Sequence, residues 1–283
     1  MPLVFVPTPL GNLRDITLRA LDVLSECSLL VAEDSRVARK LLSALELPGK
    51  EIWTYHDHNA RGATANILDR AREETVAVVT DAGTPGISDP GMELVAAARQ
   101  AGVALEVLPG ASALIGAAVL SGFALRRFIF EGFPPRTAGA RRRAFAQSFA
   151  LSVTSIWYES PQRILAALAD VHAVDPRARV FLLREYTKQF EEQISGTAQE
   201  VAAQLEQPVR GEVAFAVLPA QRDAPAPEEK DIDEAIDAAL VQGQSVADAA
   251  KMLSERGLGE RRSLYARISG RKHLRKEGAD PGR

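Results

Sequence analysis

Cysteine and histidine are scarce in this 283-residue sequence, which contains one cysteine, Cys27, and four histidines. A single cysteine excludes an internal disulfide and is typical of a protein in the reducing cytoplasm. The scattered histidines and the single thiol provide too few ligands for a structural zinc site. We therefore predict a cytoplasmic protein that binds no metal.

Long apolar runs are also absent, since no stretch approaches the ~18 consecutive apolar residues that a membrane-spanning helix needs. The first twelve residues, MPLVFVPTPLGN, lack the basic segment of a signal peptide and lead directly into a predicted strand. Hydrophobic residues make up 46% of the sequence and charged residues 25%, a balance typical of globular proteins in water. We therefore predict no membrane partner.

The motifs of several common ligand sites are missing, namely the GxGxxG fingerprint, the Walker A sequence, HExxH and GxSxG. The sequence has instead several turns rich in glycine and proline, each at the end of a predicted strand. Such turns approach a ligand closely with backbone N–H and C=O groups, which suits an adenosine-like molecule. They lie at residues 7–12, 81–91, 108–112 and 158–161.

The longest of these turns, Asp81–Gly91, reads DAGTPGISDPG and follows an apolar run at 76–80 that is typical of a buried parallel strand. Its eleven residues exceed the usual connection of about 2–6 residues between such elements. In α/β sheets, small molecules bind at loops beyond the carboxyl ends of the strands. We therefore place the ligand site at this loop.

The order of the predicted elements indicates the α/β fold class. Strands and helices alternate up to about residue 121, which predicts a mostly parallel wound sheet. After residue 128, long strands with few crossover helices predict a second domain of mixed α+β type. In the second half, Ser160-Pro161 is typical of the start of a helix. The expected divisions are two α/β domains at 1–111 and 112–221, a linker at 222–230, a basic helix-turn-helix-like domain at 231–276 and a tail at 277–283.

A net charge of −3 conceals two basic clusters, one at 126–143 and one in the last 33 residues. Residues 251–283 carry ten lysines and arginines against four acidic residues, whereas residues 221–250 carry eight acidic residues and two basic ones. Two such clusters on a mildly acidic protein indicate a polyanionic partner. The predicted RNA-binding residues are Arg136, Arg141, Arg142, Arg143, Arg261, Arg262, Arg267, Arg271 and Lys272.

Nine segments carry a family resemblance, and they cover residues 3 to about 219. In order they read VPTPLGNLRDIT, VAEDSR, YHDHN, TDAGTPGISDPG, LPGASA, FEGFPPR, WYESPQRI, LLREYTKQFEE and GEVAFAV. This series resembles the bacterial ribosomal RNA small-subunit methyltransferase I family, in the tetrapyrrole-methylase-like (class III) superfamily of S-adenosylmethionine-dependent methyltransferases. The resemblance implies a homodimer that methylates the ribose 2′-hydroxyl of a cytidine in the decoding region of 16S rRNA, within the small ribosomal subunit.

The same resemblance implies two α/β domains of the tetrapyrrole methylase type, with S-adenosylmethionine held in the cleft between them. It also implies which residues bind this cofactor. They are Leu10, Gly11, Asp81, Ala82, Gly83, Thr84, Pro85, Ile87, Pro109, Ser112, Ala113, Tyr158, Glu212 and Val213.

A ribose hydroxyl is a poor nucleophile near neutral pH, so a general base would raise the methylation rate by roughly 10²–10⁴-fold. We predict Asp34 with Arg36 as the catalytic pair, and Glu159 as the next catalytic residue. Other carboxylates and imidazoles at strand ends, namely those of Glu33, His56 and His58, are further candidates for the base.

Two other functions remain open from the sequence. A tetrapyrrole methyltransferase would share the fold and the cofactor, but a polycarboxylate macrocycle does not require two arginine-rich clusters. A non-catalytic, ligand-sensing regulator that binds nucleic acid would use the helix-turn-helix-like region. That region is short beside the roughly 220 residues that carry the strand-end turns.

Overall fold

Alternating strands and helices build two five-stranded sheets in the computed structural model, which describes residues 2–56, 59–220 and 229–277. Both sheets belong to a compact unit of residues 1–220, and residues 221–283 form a second unit. None of the helices in the described ranges has the combined length and apolar character of a membrane-spanning segment.

The first sheet is entirely parallel, with the strand order β3-β2-β4-β1-β5. Its strands are β1 (Leu3–Phe5), β2 (Leu29–Ala32), β3 (Glu51–Thr54), β4 (Val76–Val79) and β5 (Leu105–Val107). The helices of this half are α1 (Leu18–Glu26), α2 (Ser35–Ala44), α3 (Ala60–Glu73) and α4 (Met92–Gln100), with a 3₁₀ turn at Leu13–Asp15. The predicted parallel wound sheet is confirmed.

Alternate residues of the central strands pack into two cores on opposite faces of this sheet. Leu3, Phe5 and Val78 belong to the core that also contains residues of α3 and α4. Val4 and Val79 belong to the core on the side of α1 and α2. Burial on both faces explains why these strands are continuous apolar runs rather than alternating ones.

The second sheet is mixed and has the strand order β6-β7-β10-β8-β9, in which only β6 and β7 pair in parallel. Its strands are β6 (Phe128–Gly132), β7 (Thr154–Glu159), β8 (Arg179–Arg184), β9 (Glu192–Thr197) and β10 (Val213–Leu218). The helices are α5 (Ala113–Leu120), α6 (Ala138–Ala150), α7 (Ile164–Val174) and α8 (Ala198–Gln204). The α/β class predicted for the chain is confirmed.

Each face of the second sheet also has its own core. On one face the rings of Phe145 and Trp157 meet edge to face with centroids 4.9 Å apart. On the other face, the small residues Ala117 and Ala118 of α5 pack on Ile156. Since α5 packs on this sheet, a boundary between residues 111 and 112 keeps each sheet with its own helices, and we retain that division as a proposal.

The second unit contains three helices among its described residues: α9 (Glu229–Val241), α10 (Val246–Glu255) and α11 (Arg261–Glu277). They enclose a small core that includes Ile236, Leu253 and Ile268. Helix α10 begins at Ser245, whose side chain accepts a hydrogen bond from the Asp248 amide. The last two residues of the predicted linker lie in α9 and Glu277 of the predicted tail lies in α11. The other residues of both segments lie outside the described residues.

Candidate active site

A cavity of about 410 Å³ lies between the two sheets, a size typical of small-molecule sites. The turn after β4 forms one wall, and the ends of β7, β8 and β10 form the other. The lining residues are Leu10, Glu33, Asp81, Ala82, Gly83, Thr84, Ile87, Ser88, Asp89, Ser112, Ala113, Phe133, Tyr158, Glu159, Ser160, Pro161, Leu183, Tyr186, Gly211, Glu212, Val213 and Ala214.

Strand order explains why three separate turns converge on this cavity. Because β1 lies between β4 and β5, the turns at 7–12, 81–91 and 108–112 leave neighbouring strands at the same edge. The backbones of Thr8 and Gly83 exchange two hydrogen bonds of 2.9 Å, and the Thr84 hydroxyl donates to the Ala111 carbonyl at 2.9 Å. The turns therefore hold one another in place before any ligand binds.

Gly83 is the residue of this loop with the clearest need for glycine. Its φ is +83°, in the left-handed region, and an added Cβ would lie 3.3 Å from the Leu10 Cδ2 atom. Leu10 and Gly83 both line the cavity. A side chain at position 83 would therefore strain the backbone and displace a wall residue.

Most of the predicted cofactor residues lie on the cavity wall. Those on the wall are Leu10, Asp81, Ala82, Gly83, Thr84, Ile87, Ser112, Ala113, Tyr158, Glu212 and Val213, whereas Gly11, Pro85 and Pro109 are not part of it. Pro85 is buried and Pro109 is exposed on the next turn. Gly11 lies against Lys188, whose side chain occupies the space that a Cβ on Gly11 would take.

Carboxylates dominate the charge of the cavity, because Glu33, Asp81, Asp89 and Glu212 all line it. Neither lysine nor arginine occurs among its described lining residues. Burial raises the pKa of Asp81, and the nearby Asp34 carboxylate raises it further. A cavity with this charge favours a cationic ligand over an anionic one.

Asp89 was missed by the sequence analysis, although it belongs to the same loop as the predicted residues. Burial first, and then the Glu33 carboxylate, raise the pKa of Asp89 to about 6, against the smaller lowering effect of a hydrogen bond with Thr80. The preceding residue, Ser88, adopts a φ of +62°, a strained conformation of the kind that concentrates at functional sites. The feature of the sequence that could have indicated Asp89 is its place in the SDPG segment of the turn.

Asp34 and Arg36 lie outside the cavity wall. The Asp34 carboxylate caps α2 by accepting a hydrogen bond of 2.7 Å from the Arg36 amide, and it forms an ion pair of 2.6 Å with the Arg36 guanidinium. Hydrogen bonds from Arg36 hold the pKa of Asp34 well below its usual range. A carboxylate of this kind accepts a proton weakly, so the structure supports a capping role better than the predicted catalytic one.

Glu159 does line the cavity, but its side chain is buried and engaged. The carboxylate accepts a hydrogen bond of 2.8 Å from the Ser160 amide and pairs with the Arg163 guanidinium at 2.9 Å. Arg163 in turn donates to the Pro134 carbonyl at 2.6 Å. These contacts make Glu159 part of a support for the loop after β6 rather than a free base.

The predicted RNA-binding arginines fall into exposed and engaged groups. Arg141 is only 5% exposed and its guanidinium pairs with Asp170 at 2.6 Å, so its prediction as a phosphate contact is wrong. Arg142 also bonds to Asp170, while most of its side chain is exposed. The half-exposed Arg267 and Arg271 pair with acidic residues of α9, namely Asp233 and Asp237. The other five predicted residues are exposed, namely Arg136, Arg143, Arg261, Arg262 and Lys272.

Comparison with known proteins gives matches over most of the chain. Residues 2–202 match the family model of the tetrapyrrole (corrin/porphyrin) methylases. The chain is 39% identical to the ribosomal RNA small subunit methyltransferase I of Synechocystis sp., over 93% of this chain and 95% of that protein. It is 37% identical to the protein of the same name from Streptococcus pyogenes serotype M1, over 93% of each chain.

Solved structures match the fold at lower sequence identity. The uroporphyrin-III C-methyl transferase from Thermus thermophilus, complexed with S-adenyl homocysteine, matches with a TM-score of 0.54 and 21% identity, over 77% of this chain and 97% of that one. Diphthine synthase matches with a TM-score of 0.60 and 15% identity, over 77% and 90% of the two chains. At these identities the likeness concerns the fold alone.

Proposed function

The chain belongs to the tetrapyrrole (corrin/porphyrin) methylases and, within them, to the ribosomal RNA small subunit methyltransferase I family, and on this premise we propose its reaction. The family resemblance found in the sequence is therefore confirmed, and with it S-adenosylmethionine as the methyl donor. We propose that the enzyme methylates the ribose 2′-oxygen of a cytidine in the decoding region of 16S rRNA.

The observation that carries this proposal is the cavity between the two sheets. S-adenosylmethionine has a cationic sulfonium and an ammonium group, and the cavity presents carboxylates without basic residues among its described lining. The Tyr158 hydroxyl, which accepts a hydrogen bond of 2.9 Å from the Leu114 amide, adds a polar group to the wall. When bound, the cofactor supplies an electrophilic methyl group.

For the proton transfer we propose Asp89 in place of Asp34 and Glu159. The Asp89 carboxylate would take the proton of the 2′-hydroxyl, and S-adenosylmethionine, when bound, would supply the methyl group that replaces this proton. Since a pKa of about 6 leaves Asp89 mostly ionised at neutral pH yet basic enough to accept a proton, it suits this role. Orienting the hydroxyl in the cavity would contribute further to the rate.

For the RNA, we propose that the exposed basic residues contact phosphates and so position the substrate. Arg136 and Arg143 lie in the first cluster, and Arg261, Arg262 and Lys272 lie on α11. Phosphate contacts do not select a nucleotide, so selection is expected to come from the shape of the assembled small subunit. A short naked RNA should therefore be a poor substrate.

We also propose a cytoplasmic homodimer. The cytoplasmic location is proposed because the proposed substrate is ribosomal RNA. A contact face is available on α5, where Ile115, Val119 and Leu120 are exposed although they are large and apolar.

A tetrapyrrole substrate is the second candidate function, supported by the match of residues 2–202 to the tetrapyrrole (corrin/porphyrin) methylase family model. The carboxylates of the cavity disfavour it, because they would repel the carboxylates of such a macrocycle. A non-catalytic regulator accounts less well for a chain whose family is one of methylases.

The test is transfer of tritiated methyl groups to small ribosomal subunits from a strain that lacks this gene. We expect incorporation at one nucleotide, in a form that resists alkali because a methylated 2′-oxygen cannot attack the neighbouring phosphate. Alkali-labile incorporation would contradict ribose methylation. Methylation of a porphyrinogen with no incorporation into subunits would favour the second candidate.

A further inference from the structure

An aromatic side chain, Phe133, stands half-exposed on the wall of the cavity. Its side chain is 55% exposed, and its ring meets that of Tyr158 edge to face with centroids 5.8 Å apart. An exposed ring at this position leaves apolar surface in water, a state that a stacking ligand would relieve.

The loop that carries Phe133 is held by two arginines of the same half, of which Arg141 is buried and Arg163 is half-buried. Arg163 donates to the Pro134 carbonyl at 2.6 Å, and Arg141 donates to the Arg136 carbonyl at 3.1 Å. Both arginines are themselves fixed by carboxylates, Arg163 by Glu159 and Arg141 by Asp170. The ring is therefore presented on a preorganised loop, which lowers the entropy lost when a ligand binds it.

Two chain segments that meet at the cavity wall connect Phe133 with Asp89, the proposed general base. Gly132 has a φ of +69°, and a Cβ on it would lie 3.3 Å from the Ser88 hydroxyl, so the two chain segments meet at this point. Ser88 immediately precedes Asp89, and Gly132 immediately precedes Phe133. Phe133 and Asp89 thus line the same cavity, on segments that meet at its wall.

We propose that Phe133 is the stacking platform for the base of the acceptor nucleotide, and that the exposed Arg136, three residues further along the same loop, contacts the adjoining phosphate. When the 2′-oxygen of a nucleotide lies in the cavity, the base and the phosphates of that nucleotide must lie next to the cavity wall. Base stacking on an aromatic ring, with a cation at the phosphate, is the usual recognition of an unpaired nucleotide. This proposal deepens the proposed function and rests on it.

Phe133→Ala tests the platform. We expect kcat/KM for small subunits to fall by about 5- to 150-fold, the range of alanine substitutions of base-stacking aromatics. The Kd of S-adenosylmethionine, measured by calorimetry, should stay unchanged, which also shows that the variant is folded. Phe133→Trp should retain activity because it keeps the stacking surface.

Phe190→Ala is the matched control, because Phe190 is a phenylalanine of the same half that is 68% exposed but is not part of the cavity wall. It should leave kcat/KM unchanged. If Phe133→Ala kept the wild-type kcat/KM, or lost cofactor affinity in parallel with kcat/KM, the platform would be refuted. The second result would make Phe133 a cofactor contact.

A substrate in which the acceptor nucleotide keeps its ribose but lacks its base gives a further check. For the wild-type enzyme, kcat/KM should be lower on this substrate than on ordinary subunits. For Phe133→Ala, removing the base should cause no further decrease in kcat/KM, since the ring and the base act as one pair. Additive losses would refute the pairing. Failure of the proposed function is distinguishable, because the wild-type enzyme would then not methylate ordinary subunits at all.

Discussion

Two carboxylates in the turns that follow neighbouring strands, Asp34 after β2 and Asp89 in the long turn after β4, have opposite electrostatic environments. Asp34 lies beside the Arg36 guanidinium, and its pKa is held well below the usual range. Asp89 is half-buried near the carboxylates of Glu33, Asp81 and Glu212, and burial followed by these charges raises its pKa to about 6. The comparison shows that burial and partners, and not the position at a strand end, make a carboxylate suitable as a base.

Asp89→Asn gives the largest expected change. The amide cannot accept the proton, so kcat for methyl transfer to small subunits should fall by about 10²–10⁴-fold. The Kd of S-adenosylmethionine should change much less. Near-normal kcat in this variant would contradict the role of Asp89 as the base.

The pH profile of the wild-type enzyme provides the next test. If Asp89 is the base, kcat should be constant above its pKa of about 6 and fall about tenfold per pH unit below it. Asp34 would give no such decrease in this range, because it stays ionised to far lower pH. Rates measured between pH 5 and 8 on subunits that stay intact distinguish the two residues.

Stability should change in the direction opposite to activity in Asp89→Asn. Because the pKa of Asp89 is higher in the folded state than in the unfolded chain, the folded state binds more protons between about pH 4 and pH 6. The free energy of unfolding contributed by this group therefore decreases as pH rises through that window. At neutral pH the neutral asparagine should raise Tm relative to wild type, and an unchanged difference between pH 4 and pH 7 would contradict this.

Asp34→Ala should have a small effect on stability and leave the chemical step intact. Loss of the cap of α2 should lower Tm by about 2–4 °C. Asp34→Asn is the control, since an asparagine side chain can still cap the helix. A loss of kcat in both variants, with S-adenosylmethionine binding retained, would restore Asp34 as the catalytic residue.

Arg36→Gln should have the smallest effect. Removing the guanidinium should let the pKa of Asp34 return toward its ordinary value, because Arg36 is the main cause of the lowering. The pair lies at the surface, where salt screens it, so Tm should change little. Nuclear magnetic resonance titration of the Asp34 carboxyl follows this directly, and an unshifted pKa would disprove the assigned cause.

Much of the site was predictable from the sequence because its wall is made by turns. Glycine and proline enforce local backbone geometry, so the turn at 81–91 was found from composition, and its place at a strand end followed from the parallel order. Asp89 was in reach of the same reasoning, yet nothing local distinguishes it from the other acidic residues at strand ends. Phe133 was likewise within a quoted motif, but its half-exposed state depends on packing.

Other predictions were wrong because the contacts that decide them are set by the folded structure. Ser160-Pro161 is typical of a helix start, yet α7 begins at Ile164, and Ser160 instead donates its amide to the Glu159 carboxylate. Arg141 and Arg143 lie in the same basic cluster, so the sequence alone does not distinguish them. Of these two arginines, Arg141 pairs with Asp170 on α7 and is buried. Helical phase and a partner 29 residues away decided which arginine is exposed.

The sequence by itself determined the α/β class, the family and the glycine- and proline-rich loop at the site, because motif order and backbone preference are local properties. The tertiary structure alone decided which carboxylate is buried, which arginines are neutralised and which aromatic ring faces the cavity. Desolvation and ion pairing depend on the distances between residues that lie far apart in the chain, and folding sets those distances.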